Sequence, residues 1–270
     1  MPGIEVRDLV KTYRIAERGA GLSGSVRGLF KRQYKEVRAL DGISLSIAPG
    51  ELVGYIGPNG AGKSTTVKVL SGILVPDSGT CLVNGRVPWE NRKEHVARIG
   101  TVFGQKSQLW WDLPVKESFD LLKEIYRVPD RDYRESLGEL TELFELAELY
   151  KTPVRQLSLG QRMRCDMAAA LLHGPDTLFL DEPTIGLDAV AKLTLRELIR
   201  KINEEKGVTV ILTTHDMDDV EALCHRVLLI GHGRILRDGT VKDLRQAYED
   251  GAGVELEEVI RRLYREEALR

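Results

Sequence analysis

The chain has 270 residues, and its 39 Lys and Arg against 41 Asp and Glu give a formal charge of −2, with 42% hydrophobic and 30% charged residues. This is the balance of an ordinary soluble globular protein, long enough to bury a large core without metal or disulfide staples; it excludes intrinsic disorder and gives no overall electrostatic case for nucleic-acid binding. A membrane span is excluded as well, because it needs about 20 mostly apolar residues, whereas the longest apolar runs here, such as 208–212 and 227–230, are the size of strands.

Along the chain, residues 4–9 alternate apolar and polar like a half-buried strand. Residues 16–36 stand apart, with Gly19, Gly21, Gly24 and Gly28 among the basic Arg18, Arg27, Lys31, Arg32 and Lys35. Two readings stay open there: a solvated insertion between two strands, or a short amphipathic helix that touches a membrane surface or a partner. Residues 37–47 read as one or two strands with a turn at Asp41-Gly42, and 51–56 as an apolar strand before a Gly-rich loop and a helix over 63–70. Residues 81–83 form a strand entering a tight turn at Asn84-Gly85, and 99–103 form another. From 115 to 149 the texture becomes helical, with Leu140, Leu143, Phe144, Leu146 and Leu149 at helical spacing. A helix follows through 163–172. Strands at 177–180, 208–213 and 227–230 come next, with a helix at 189–204 between the first two. The alternation implies an α/β fold with a mostly parallel sheet. A charged helical tail covers 256–265. The first ten residues, with Glu5, Arg7 and Asp8, lack the apolar stretch of a secretory signal. Cys81, Cys165 and Cys224 are scattered with no CxxC pair, as expected for a cytosolic chain with reduced thiols.

Three segments carry chemistry. Gly57-Pro58-Asn59-Gly60-Ala61-Gly62-Lys63-Ser64 fits the phosphate-binding pattern G-x-x-x-x-G-K-[ST]. Gly57, Gly60 and Gly62 permit a tight wrap in which backbone N–H groups point at phosphate oxygens, and the following helix adds its positive end. Lys63 reaches the β- and γ-phosphates, and Ser64 offers a hydroxyl to Mg²⁺. Residues 177–182 form an apolar strand that ends in Asp181 and Glu182. Unpaired buried carboxylates are costly, and a metal supplies the reason for them: Asp181 holds Mg²⁺ directly or through water, while Glu182 orients and polarises an attacking water. The structural alternative is a pair of helix-capping acids with Pro183 in the first turn. Leu157-Ser158-Leu159-Gly160-Gln161 opens a helix with Ser158 as N-cap and an anion-friendly end.

At this point the sequence resembles the ATP-binding cassette (ABC) ATPases over roughly residues 4–240. Residues 57–65, through Thr65, resemble the Walker A loop. Residues 157–161 resemble the L-S-G-G-Q signature, with Leu159 in place of its first Gly; Ser158 and Gly160 are kept. Residues 178–182 resemble Walker B. Gly186-Leu187-Asp188 resembles the D-loop, His215 the switch histidine and Gln105 the Q-loop glutamine. Tyr13 resembles the aromatic that stacks on adenine. Residues 103–114, with Trp110 and Trp111, and 157–164 are similar to the daunorubicin- and viologen-type exporter branch.

The resemblance implies a P-loop, RecA-like parallel core with an antiparallel β subdomain and an α-helical subdomain inserted at about 106–165. It implies an ATPase domain over 1–240 and a helical extension over 241–270. ATP and Mg²⁺ are the implied ligands. Nucleotide contacts fall to Tyr13, residues 57–65, Ser158, Gly160, Gln161 and Asp188, metal contacts to Ser64, Gln105 and Asp181, and catalysis to Glu182, His215, Lys63 and Gln105. The implied partners are integral membrane permease subunits and a second ATPase subunit, alike or different, at the cytoplasmic face of the membrane, with no nucleic acid. The alternatives are a soluble family member acting on ribosomes, nucleic acid or cluster assembly, an importer ATPase, and a catalytically dead nucleotide sensor; intact Lys63, Asp181, Glu182 and His215 weigh against the last. Two adjacent Trp side chains can hardly both point inward, so at least one of Trp110 and Trp111 is expected at the surface, as part of a pocket for a partner helix or of subdomain packing.

Overall fold

The computed structural model describes residues 3–17, 33–104, 106–246 and 256–268. Two sheets are present among them. Strands β1 (Ile4–Glu17), β2 (Gln33–Ile47) and β4 (Ser78–Val83) form an antiparallel sheet in the order β2-β1-β4. The larger sheet has the order β5-β6-β7-β3-β8-β9. It is built from β3 (Leu52–Ile56), β5 (Ile99–Phe103), β6 (Thr177–Asp181), β7 (Thr209–Thr214), β8 (Arg226–Gly231) and β9 (Arg234–Thr240). All its pairings are parallel except β8 with β9.

The parallel strands are buried on both faces, which is why they read as unbroken apolar runs. Their period-2 geometry sends alternate residues into two cores. Leu52, Leu178, Leu180, Val210, Leu212, Val227 and Leu229 face the helical side. Val53, Tyr55, Phe179, Ile211, Leu228 and Ile230 face the antiparallel sheet and helix α1 (Lys63–Leu70). Helix α2 (Arg92–Val96) leads into β5. The helical layer contains α3 (Val115–Tyr126), α4 (Asp130–Phe144), α5 (Leu159–Leu171), α6 (Ala189–Lys206) and α7 (Met217–Leu223). Phe119, Leu140 and Phe144 bury the contact of α3 and α4 with this core, and the Phe119 ring meets Tyr150 edge-on at 6.2 Å. The fold is therefore the P-loop α/β arrangement with an antiparallel β subdomain and a helical insertion. No helix among the described residues is long and apolar enough to cross a membrane.

Several elements differ from their sequence outlines. β1 runs to Glu17 rather than stopping at residue 9, because a left-handed residue at Asp8 (φ 48°) and shifts of register absorb the break in its pattern. β2 is a single strand across Asp41-Gly42, with Gly42 at φ 79°. Asp41 is held there by Arg38 and Arg234, whose hydrogen bonds keep its carboxyl below the usual range, and its N–H donates to the Gly233 carbonyl (2.8 Å). β7 sits one residue later than expected, at 209–214. The turn at Asn84-Gly85 forms as read, with φ of 50° and 74°. Of the 16–36 segment, residues 18–32 and the two readings they support lie outside the described residues. The three thiols are buried and free, and burial pushes each up to about 12.

After α8 (Val241–Gln246), helix α9 (Leu256–Ala268) packs its apolar face into the helical core through Leu256, Val259, Ile260 and Leu263. Its Tyr264 hydroxyl donates to the Ile230 carbonyl (2.9 Å) on β8.

Candidate active site

The phosphate-binding loop leaves the carboxyl end of β3, in the centre of the parallel sheet. Three glycines are fixed by geometry. A Cβ on Gly57 would stand 2.4 Å from the Ile230 carbonyl oxygen, and one on Gly62 (φ 112°) 2.6 Å from that of Ala39. Gly60 turns the chain at φ 82°. Gly62 is also the N-cap of α1 and has no side chain to cover the free N–H groups of the first turn. The helix end is thus open to an anion. Lys63 folds back over the loop and donates to the carbonyls of Gly57 (2.6 Å) and Pro58 (3.2 Å). It lies 4.0 Å from Glu182 Oε1 and is only 6% exposed. Burial lowers its pKa, and the carboxylates of Glu182 and Asp181 partly oppose that. Burial therefore puts a cost on this ammonium that phosphate oxygens would relieve.

A cavity of about 730 Å³ is lined by Pro58, Asn59, Gly60, Gly62, Lys63, Ser64 and Thr65 of the loop together with Asp181, Glu182 and His215. Ala61 faces inward instead, its carbonyl accepting from Gly233 N–H (3.0 Å). Asp181 ends β6, and its Oδ1 accepts from Ser64 Oγ (3.3 Å) and Thr213 Oγ1 (2.5 Å). Glu182 sits in the left-handed region (φ 56°), with its N–H shared between the Thr213 carbonyl (3.0 Å) and Oγ1 (3.2 Å). This turn aims its carboxylate at His215, with Nδ1 2.5 Å from Oε2. Residues 183–186 form a turn rather than a helix, so the two acids are not caps. Gly104 packs beneath the turn, where a Cβ would come within 2.0 Å of the Glu182 carbonyl oxygen.

Sequence reasoning missed two supports of this pair. Thr213 is one. The other is Asp219, fully buried on α7, whose Oδ2 accepts from Thr184 Oγ1 (2.5 Å) and Thr214 Oγ1 (3.3 Å) while Oδ1 takes Arg196 Nε (2.6 Å). It ties the turn after Glu182 to the strand end before His215. Asp219→Ala leaves Arg196 with Asp216 at 3.8 Å and removes the acceptor of the Thr184 hydroxyl, so it is expected to cost about 3 kcal/mol, measured by urea unfolding.

The signature residues lie elsewhere. Ser158, Gly160, Gln161 and Asp188 line a separate cavity of about 340 Å³, and no residue lines both. Ser158 Oγ accepts from Gln161 N–H (3.2 Å) and Gln161 Oε1 from Ser158 N–H (2.9 Å), a capping box at the start of α5. A Cβ on Gly160 would meet Ala191 at 3.1 Å. Asp188 caps α6 by accepting from Ala191 N–H (2.8 Å). The side chains of Gln161 and Asp188 thus already have local structural partners. Tyr13 stands on β1 opposite Val37 and is not among the residues lining the P-loop cavity. Gln105 lies outside the described residues; its neighbours Gly104 and Lys106 line the P-loop cavity. Trp110 and Trp111 are both partly exposed, at 38% and 53%.

Asp166, on α5, is buried and outside both cavities. Burial pushes its carboxyl up to about 6, against the opposing hydrogen bonds from Ser107 and Gln108. A folded pKa above the unfolded 3.8 means that its stabilising contribution is complete below pH 4 and is lost as pH rises through 6. Asp166→Asn carries no such loss. Its stability relative to the native chain is expected to improve by about 3 kcal/mol between pH 4 and pH 8, as read by urea unfolding at the two values.

The ABC transporter family model matches residues 40–185. A probable multidrug ABC transporter ATP-binding protein of Escherichia coli is 38% identical over 216 residues, covering 79% of this chain but 36% of that protein. The chain thus spans about a third of that relative's length. A daunorubicin resistance ATP-binding protein of Streptomyces coeruleorubidus is 37% identical over 215 residues, 80% of this chain and 67% of the relative. Among solved structures, a dimeric ATP-binding cassette in a post-hydrolysis state, bound to ADP and Pi, superposes with a TM-score of 0.72 at 28% identity, covering 88% of this chain and 98% of that one. Together with the nucleotide-sized cavity over the P-loop, these likenesses place the chain in the ABC transporter family.

Proposed function

We propose that this chain is the ATP-hydrolysing subunit of an ABC exporter, working as a pair of such chains at the cytoplasmic face of the membrane on integral permease subunits. The observation that carries the reading is the separation of the two cavities. Lys63, Ser64, Glu182 and His215 line one, Ser158 and Gly160 the other, and no residue is common to both. A γ-phosphate on the P-loop is completed by the Ser158–Gly160 end of a second chain, head to tail. The names of the relatives, multidrug and daunorubicin resistance, favour export.

In this reading the loop N–H groups from 57 to 65 and the open end of α1 hold the phosphates, and Lys63 turns from the Gly57 carbonyl to the γ-phosphate. Ser64 and Asp181 offer two hard oxygen donors 3.3 Å apart, a set that suits Mg²⁺ completed by phosphate and water. Mg²⁺ held there would supply charge neutralisation on the phosphates. Glu182 takes the proton of the attacking water as its oxygen bonds to γ-phosphorus and the bond to the bridging oxygen breaks. His215 orients Glu182 through Nδ1, Gln105 would be among the residues that hold the metal and water, and Tyr13 would stack on adenine. We assign residues 1–240 to the ATPase domain, with the helical subdomain at about 106–165, and 241–270 to a helical extension. The exposed Trp110–Trp111 surface meets the permease.

Sedimentation of Glu182→Gln tests the pairing: Mg·ATP doubles the sedimenting mass and Mg·ADP does not. A mass unchanged by Mg·ATP contradicts it. Capture of the tagged chain from solubilised membranes brings down a multi-span membrane protein if the transport reading holds.

A further inference from the structure

Helix α5 begins at the Ser158–Gly160 end and, farther along, grips the segment that follows Gln105. Arg162 lies over the Trp111 ring, 5.6 Å from its centroid. Asp166 Oδ1 accepts from both Ser107 Oγ (2.9 Å) and Gln108 N–H (3.0 Å), and the Asp166 carbonyl accepts from Gln108 Nε2 (2.8 Å). Ser107 Oγ in turn accepts from Leu109 N–H (3.1 Å). Arg162 and Asp166 are four residues apart and share one face of the helix. They lie roughly 6 and 12 Å along the axis from Ser158. The two contacts together set the orientation of the 107–111 segment to the helix, while Trp110 N–H also donates to Ser118 Oγ (3.2 Å) and the Trp111 carbonyl accepts from Arg155 N–H (3.0 Å). A carboxylate that is 4% exposed and touches neither cavity has no part in phosphate chemistry. Its partners are the residues that lead to the exposed Trp pair.

We propose that Arg162 and Asp166 form a two-point clamp that makes the Trp110–Trp111 surface move with the phosphate-contacting end of α5, Asp166 being a positioning residue for coupling rather than for hydrolysis. The inference rests on the reading that Ser158 and Gly160 meet ATP held by a second chain. Closure of the pair pulls on Ser158 and Gly160. The helix carries that displacement to Ser107, Gln108 and Trp111, and so to whatever helix rests on the two tryptophans. What Asp166 supplies is an acceptor at one oxygen, since both side-chain bonds converge on Oδ1. Asn offers the same oxygen, and Ala does not.

The test uses the full chain with Trp111 as its single tryptophan, made by Trp89→Phe and Trp110→Phe, in the Glu182→Gln background. Two readings are taken, acrylamide quenching of Trp111 without nucleotide and the change in its emission on adding Mg·ATP. Asp166→Ala is expected to raise the quenching constant at least twofold and to remove more than half of the ATP-induced emission change, while sedimentation still shows the ATP-dependent pair. Asp166→Asn restores both readings. Quenching and emission in Asp166→Ala equal to the parent overturn the clamp, as does failure of Asp166→Asn to restore them. Absence of an ATP-dependent pair in the parent contradicts the shared-site reading instead, and the quenching comparison still decides whether Asp166 holds Trp111. If Asp166→Ala does not fold, Ser107→Ala, which removes one clamp bond and the acceptor for Leu109, carries the same expectations.

Discussion

Replacing Glu182 by Gln is expected to lower ATP turnover by roughly 10²–10⁴-fold while changing ATP affinity little. The amide keeps the shape of the side chain and an oxygen for His215, but it cannot take a proton from water. Asp181 is no substitute, because its Oδ1 already accepts from Ser64 and Thr213. Phosphate release under single-turnover conditions reads the chemical step, and equilibrium binding of a fluorescent ATP analogue reads affinity. A variant that hydrolyses at close to the native rate would move the base away from Glu182. His215→Ala should lose less, since His215 acts through the orientation of Glu182.

Lys63→Ala is expected to abolish hydrolysis for a different reason, by about 10²–10³-fold or more, and to remove the rise in melting temperature that ATP gives the native chain. Without nucleotide its own melting temperature should stay close to native or rise slightly. The ammonium is buried and its pKa is held down by desolvation, so the fold gains little from its charge. A melting temperature well below native without ATP, together with an intact ATP shift, would make Lys63 a structural residue rather than a phosphate ligand.

The parallel core was legible because parallel strands buried on both faces read as apolar runs, and because β3 ends at Ile56 with the loop spelled out behind it from Gly57. Asp181 and Glu182 were legible for the opposite reason, as acids where an apolar strand should not end. The outlines of β1 and β2 were legible only in part: Ile43, Leu45 and Ile47 are buried and alternate with exposed Ser44 and Ser46, whereas Ile15, Tyr34 and Val37 are on the surface and residues 34–38 show no alternation. Asp219 and Asp166 were illegible as supports because each sits in a helix, where an acid reads as a solvated residue. Their partners Thr184, Arg196, Ser107 and Gln108 are distant in sequence and meet them only in the fold. Sequence reasoning finds the cap at Ser158 but misses the part Gln161 plays in it, whose signal is the spacing Ser158-x-x-Gln161; the family resemblance points to that residue for nucleotide contact instead. The left-handed turn at Glu182 has no signal of its own; its trace is Gly104, the residue small enough to lie under it.

The central claim is that one ATP site is built from two chains, and mixing two inactive variants tests it most directly. Lys63→Ala destroys the P-loop half of the site and Ser158→Arg the signature half. Each is expected to be inactive alone. A mixed pair holds one site with both halves damaged and one with both halves intact, so the account predicts that ATP hydrolysis reappears when the two variants are combined and grows with the fraction of mixed pairs. If each chain completed its own site, the mixture would remain as inactive as its parts, and that result would contradict the account.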